Sequence, residues 1–230
     1  MLEQQGGMLE AVRHAAGVLF DPGSVVELRA FRKKDDSKAA GYFDDFEVLA
    51  REAARLNGRS FAVYATLNPV KPELLARAEN RIEHYPEATT ADGDILSRRW
   101  LPLDFDPVRE SGASSTNEEK ASALARAHEV RDYLREQGWP EPILADSGNG
   151  AHLLYRVDLP NDQDSRRLVR GVLEALAFRF DDAEVKVDTG VYNAARIWRL
   201  YGTTNYKGDG AGERPHRLSK LIEVPEEAQA

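Results

Sequence analysis

The sequence predicts a mixed α/β fold centred on a sheet and contained in a single domain, residues 1–230, and three observations carry that expectation. Helical and extended hydrophobic patterns alternate along nearly the whole chain. The 230 residues are 42% hydrophobic, enough to bury one core or two small lobes. No repeat, low-complexity tract or Pro/Gly/Ser-rich linker divides them.

Taken in order, Leu9, Val12, Ala16 and Leu19 recur at helical spacing, and Asp21-Pro22-Gly23 stops that helix before an extended run from Val25 to Phe31. Phe43, Phe46, Leu49, Ala50, Ala53 and Leu56 mark a second amphipathic helix, ended by Asn57-Gly58, and Phe61 to Leu67 follows as a strand. Asn68-Pro69 opens a turn, Glu73 to Ala78 suits a short helix, and the polar Tyr85 to Ser97 reads as an exposed loop. Trp100 to Phe105 is a buried strand. Thr116 and Glu119 have the capping-box spacing ahead of a helix whose inner face is Ala123, Ala127, Val130 and Leu134, with Gly138 as its stop. Pro142 to Asp146 and Ala151 to Val157 are strands around Ser147-Gly148-Asn149-Gly150, and Val169, Leu173, Leu176 and Phe180 mark another long helix. Glu184 to Asp188, Ile197 to Tyr201 and Leu218 to Val224 complete the strands.

The formal charge of −8 argues against coating nucleic acid through overall basicity, so any such binding needs a local basic patch. The absence of cysteine excludes a disulfide, a thiolate nucleophile and Cys-ligated zinc, and fits a reducing cytosol. Met1 to Gly7 contains no basic residue ahead of an apolar run, and no stretch is long enough to span a bilayer, so a cytoplasmic protein without a membrane partner is expected.

Three segments carry chemistry. In Leu101-Pro102-Leu103-Asp104-Phe105-Asp106-Pro107, two carboxylates one residue apart on a strand point to the same face and can share a hard cation such as Mg²⁺ or Mn²⁺; a solvated strand end is the bland alternative. Asp146-Ser147-Gly148-Asn149-Gly150-Ala151-His152 delivers a hydroxyl and an imidazole from a glycine-punctuated turn, its glycines allowing close approach to a ligand. It matches neither the Walker nor the dinucleotide pattern, and a tight hairpin with His152 in the core remains the alternative. Third, Val185-Lys186-Val187-Asp188 ends an apolar strand on an acid, after which Arg196, Arg199, Lys207, Arg214, Arg217 and Lys220 outweigh Asp209 and Glu213 by a net +4. Arg196 and Arg199 suit a triphosphate, and Lys207 lies on a loop able to close over phosphates; a solvated face is the alternative, chiefly for Arg214 to Lys220. An earlier basic cluster, Arg29, Arg32, Lys33, Lys34 and Lys38, is diluted by Asp35 and Asp36 and reads as a solvated loop or a template contact. Trp100, Trp139 and Trp198 read as core residues.

Asp104-Phe105-Asp106, then Ser147 to His152, then Asp188 followed by Asn193-Ala194-Ala195-Arg196-Ile197-Trp198-Arg199-Leu200-Tyr201-Gly202-Thr203 together closely resemble the archaeo-eukaryotic primase superfamily, in particular the primase-polymerases of plasmids, phages and other mobile elements. The resemblance runs from about Val25 to Val224 and includes Tyr64-Ala65-Thr66-Leu67-Asn68-Pro69. It implies a two-lobed domain with an RRM-like sheet, flanking helices and an active site between the lobes. It also implies template-directed nucleotidyl transfer onto a 3′-hydroxyl, in replication of a mobile element or in damage tolerance. By the same resemblance, Asp104, Asp106 and Asp188 are the metal-binding carboxylates of a two-ion Mg²⁺ or Mn²⁺ site. His152 belongs with them as a catalytic residue, and Ser147, Gly148, Asn149, His152, Arg196, Arg199 and Lys207 bind the nucleotide. The implied partners are single-stranded template and primer DNA, with dNTP or NTP. Many relatives carry a zinc-binding module, an appended helical domain or a fused helicase. This chain has no cysteine and no Walker motif, so polymerisation is expected ahead of de novo priming. The expectation is either an excised catalytic domain or one that relies on partners, such as a helicase or helical accessory domain, for template loading. A catalytically silent replication-initiator module that binds nucleic acid, and a metal-dependent nuclease, are the competing classes.

Overall fold

The computed structural model describes residues 2–32 and 34–226. The first hydrophobic stripe forms α1 (Leu2–Leu19), whose Val12, Ala16 and Leu19 are buried in one core with Val26 and Leu28. In β1 (Val26–Arg32), Val26, Leu28 and Ala30 point into that core while Glu27, Arg29 and Phe31 face the other way. The next strand, β2 (Ser37–Phe43), pairs along its whole length with β1 and has no counterpart in the sequence reading. Its Ser-Lys-Ala-Ala-Gly run has no β-branched residue, so the hairpin partner supplies what propensity does not. Phe43 therefore closes a strand instead of opening a helix. The helix itself, α2 (Phe46–Asn57), starts where Asp45 accepts from the N–H groups of Glu47 and Val48 at 2.9 and 3.1 Å. With β3 (Ala62–Thr66), β4 (Glu83–His84) and β9 (Ile197–Arg199), these strands make an antiparallel sheet in the order β4-β2-β1-β3-β9.

The second half builds another sheet from β5 (Ser97–Pro107), α3 (Asn117–Glu136), β6 (Ile143–Asp146), β7 (Ala151–Pro160), α4 (Gln163–Phe180) and β8 (Val185–Val187). This is a β-α-β-β-α-β unit whose strands lie side by side as β6-β7-β5-β8, all antiparallel, which is the expected RRM-like sheet. The short ribbon β10 (Thr204–Asn205) with β11 (Arg217–Leu218) leads into β12 (Lys220–Glu223), which adds a fifth strand beside β6. Thr116 and Glu119 form the reciprocal capping box of α3. Ala123, Ala127, Val130 and Leu134 of α3 and Val169, Leu173, Leu176 and Phe180 of α4 are buried in the same core as Leu103, Phe105 and Leu153 of the sheet.

Segment 85–97 is less exposed than its polarity suggests: Ile95 is buried with Val25 and Val70, and the N–H of Thr90 donates to the buried carboxylate of Glu27. Glu27 takes Arg29 as its partner, and Arg32 pairs with Asp35, which removes both arginines from the early basic cluster. Lys33 of that cluster lies outside the described residues. Asn68 joins the two halves, donating to the carbonyl of Ala194 at 2.9 Å while accepting from the N–H of Arg99 at 2.8 Å. Among the described residues no helix is long and apolar enough to cross a membrane.

Candidate active site

A cavity of about 690 Å³ opens between the two sheets and is lined by residues of both. From the RRM-like sheet come Asp104, Asp106, Ser147, Asn149, His152 and Asp188; from the other come Phe31, Lys38, Tyr64 and Arg199, with Arg196 and Lys207 at its margin. Strand register accounts for the first group. Asp104 stands opposite His152 on β7, and on its other side its carbonyl accepts from the N–H of Asp188, just past β8, at 2.9 Å, so one row reads His152, Asp104, Asp188. Asp106, two residues along β5, shares the face of Asp104.

The carboxylates are held differently. Asp188 accepts from the N–H of Gly190 at 2.7 Å, capping a short turn. Asp106 meets the guanidinium of Arg109 at 3.3 Å, and Arg109 is itself fixed by the carbonyls of Pro107 and Ala113. Burial and the neighbouring charge of Asp104 push the Asp106 carboxyl above its ordinary value, and Arg109 and Lys207 offset this only in part. A pair of like charges in want of a cation, with oxygen donors only, suits a hard divalent ion. Among the described residues, however, no three His, Asp or Glu side chains stand grouped tightly enough to hold an ion as they are.

The glycine turn is built for its own protein neighbours. Ser147 Oγ accepts from the N–H of Gly150 at 2.8 Å, and Asp146 accepts from Gly148 N–H at 2.7 Å while pairing with Lys120 at 2.6 Å. A Cβ on Gly150 would stand 2.3 Å from the carbonyl oxygen of Phe105, and one on Gly148, at φ +91°, 2.8 Å from Cβ of Asn205. The close approach these glycines permit is thus to β5 and β10, and Gly148 is not among the residues lining the cavity. Asn149 does line it. Its Oδ1 accepts from Ser115, but its buried Nδ2 has no partner among the described residues.

On the basic side, Arg199 stacks over the ring of Tyr64 at 4.2 Å and donates to its hydroxyl at 2.7 Å. Burial lowers the Arg199 guanidinium from its ordinary value, against the pull of Tyr64 and Asp104. Its Nη1 and the Nε of Arg196 are buried without a partner among the described residues. Asn149, Arg196 and Arg199 all line the cavity, and each carries one buried donor without a partner among the described residues. Lys207 also lines the cavity, on a loop that is tied down: its N–H donates to Asn205 Oδ1 at 3.1 Å and its carbonyl accepts from Ser114. The outer cations serve the fold, since Arg214 makes a two-pronged pair with Glu119 and Arg217 donates to Ser115 and Asn117. Sequence reasoning passed over Arg109, Lys120 and the side chains behind His152. A basic residue three after the acidic pair was the one visible sign of Arg109.

No protein-family model matches the sequence, and no curated protein matches it. Among solved structures, the chain is similar to that of the primase RepB′, at 12% identity and a TM-score of 0.50, over 94% of this chain and 56% of that one. A second structure, the catalytic domain of primase RepB′ in complex with initiator DNA, aligns at 13% identity and a TM-score of 0.48 over 94% and 85%. This chain spans a little over half the length of the first. Its two antiparallel sheets, with the cavity between them, have the fold of the primase RepB′, the primase fold that the three motifs imply.

Proposed function

We propose that the protein is a template-directed nucleotidyltransferase, a DNA primase or polymerase that joins a nucleotide to the 3′-hydroxyl of a strand paired with template DNA. The observation that carries this is the gathering of both charges in one cavity: Asp104, Asp106 and Asp188 from the RRM-like sheet, with Arg109 and Lys207 acting on Asp106, and Arg196 and Arg199 from the other side. A nucleoside triphosphate entering it is repelled by Asp104 and Asp106 and attracted by the cations, Arg196 and Arg199 above all, so its phosphates orient toward those two. Arg199, braced on Tyr64, would bring its charge to phosphate oxygens, and Asn149 and His152, which line the same cavity, would supply further donors. The reacting hydroxyl then belongs at the carboxylate end. Asp104 and Asp106, with Asp188 alongside, would hold Mg²⁺ or Mn²⁺, which there supplies neutralisation of charge at the transferring phosphate.

A second reading, a silent module that binds nucleic acid, draws on the ungrouped state of the three carboxylates and the use of Asp188 as a cap. Primer extension with Mg²⁺ or Mn²⁺ separates the two. Wild-type protein is expected to add dNTP or NTP to a primed template, and Asp104→Ala with Asp106→Ala to abolish addition while leaving binding of single-stranded DNA intact. Incorporation by the double variant at the wild-type rate would sink the mechanism. DNA binding without incorporation by either protein would favour the silent module.

A further inference from the structure

His152 is buried, yet its two ring nitrogens face different surroundings. Nδ1 lies 2.8 Å from the hydroxyl of Tyr201, and Nε2 lies 3.4 Å from Oδ1 of Asp104, a residue that lines the cavity as His152 does. The Tyr201 hydroxyl in turn lies 2.9 Å from Nε1 of Trp198, whose ring packs against the imidazole with centroids 4.2 Å apart. An indole N–H can only donate. The Tyr201 oxygen therefore accepts from Trp198 and has one hydrogen left to give. Tyr201 is fully buried, and His152 Nδ1 is the one acceptor for that hydrogen among the described residues. Were Nδ1 the protonated nitrogen, the buried hydroxyl hydrogen would have no acceptor.

We infer that Trp198 and Tyr201 are positioning residues, a directed chain of donors that holds His152 in the tautomer carrying its hydrogen on Nε2, so that a single N–H faces the cavity as a donor to the nucleotide's phosphates. This rests on the nucleotidyltransferase reading for the identity of the ligand, but the tautomer is a property of the free protein. The burial that keeps Tyr201 protonated suits its place as a donor. The arrangement also explains the spacing of Trp198 and Tyr201: β9 ends at Arg199, and the turn that follows brings Tyr201 back beside Trp198 while Arg199 faces the cavity.

The test is a long-range ¹H–¹⁵N correlation spectrum of the full chain labelled at histidine, with His152 identified by comparison with His152→Gln. The wild-type spectrum is expected to show Nδ1 bare and Nε2 protonated. Both Tyr201→Phe and Trp198→Phe should move His152 toward a mixture of tautomers, the first by removing the donor to Nδ1 and the second by freeing Tyr201 to accept. In primer extension, Tyr201→Phe should raise KM for the nucleotide on the order of tenfold with a smaller change in kcat, as loss of one oriented hydrogen bond to a charged group predicts. A wild-type spectrum with Nδ1 protonated, or an unchanged tautomer in both folded variants, overturns the relay even if extension proceeds. Failure of the wild-type protein to extend primers in the presence of the expected tautomer removes the nucleotide as the ligand and leaves the relay standing.

Discussion

The two sheets meet at one cavity but contribute to it in unlike ways. On the RRM-like sheet the candidate site residues sit abreast, His152 on β7, Asp104 on β5 and Asp188 just past the end of β8, so strand pairing sets their spacing. On the other sheet Arg32, Lys38 and Arg199 are strand-borne cations at the cavity, and of these Arg199 stacks on Tyr64, its partner in the β3–β9 register, and faces the site from the edge strand β9. The acidic groups are thus gathered within one sheet, whereas Arg199 and Tyr64, though paired in register on β9 and β3, meet them only where the two sheets close on the cavity. The acidic grouping should survive changes that loosen that closure.

The largest effect expected from breaking this contrast is at the basic sheet. Arg199→Ala should lower kcat/KM for the nucleotide by about 10²- to 10³-fold, as removal of a preorganised charge donor does, with the fold retained by circular dichroism. Arg199→Lys should recover little, since an ammonium cannot both stack on Tyr64 and present a fork. A loss below tenfold would make the basic wall incidental.

A smaller effect, of opposite sign, is expected on the acidic sheet. In metal-free protein at neutral pH, Asp106→Asn should raise stability by no more than about 1 kcal/mol, because it removes the desolvation of this carboxylate and its repulsion from Asp104, both screened by solvent at a half-exposed side chain. Thermal melts in chelator would show a rise of a few degrees at most, roughly 2–4 °C per kcal/mol for a chain of this size. A carboxyl raised in the folded state stabilises fully below its unfolded value and loses that contribution as pH rises through the folded one. The gain from Asp106→Asn therefore fades in acid, where the wild-type group is already protonated. Lower stability of the variant would show that Arg109, not Asp104, governs this carboxylate.

The smallest effect concerns what holds β8 in place. The Asp182 carboxyl is held down at about 2, first by the N–H groups of Val185 and Glu184 and then by Arg126. Its contribution is present above the ordinary 3.8 and lost as pH falls toward about 2. Asp182→Asn should flatten that part of the acid-unfolding profile, followed by circular dichroism; an unchanged profile would mean that β8, and Asp188 with it, is held by its pairing with β5 alone.

Much of this was legible in the sequence because the informative features were local. Thr116 with Glu119 reported a helix start, and the apolar lead-in to Asp104 and Asp106 reported a strand ending in acids. What escaped depended on partners far along the chain. β2 is a strand because β1 lies beside it, and Arg214 looked like part of a nucleic-acid patch because nothing in its neighbourhood announces Glu119, ninety-five residues away. Trp198 read as core and is buried, but burial was half of its role. Its N–H has a direction, and direction is invisible to hydrophobic periodicity.

The strand β12 has a consequence of another kind. By pairing with β6 it covers a row of backbone groups on a strand whose Ile143, Leu144 and Ala145 are all buried and apolar, whereas the opposite edge of that sheet, β8, is only three residues long and carries Lys186 at its centre. A chain shortened ahead of Arg217 would lose both that cover and the clasp from Arg217 to Ser115 and Asn117. It would leave an open apolar edge, the kind of surface through which chains recruit one another into aggregates. The last strand thus acts as a guard on solubility.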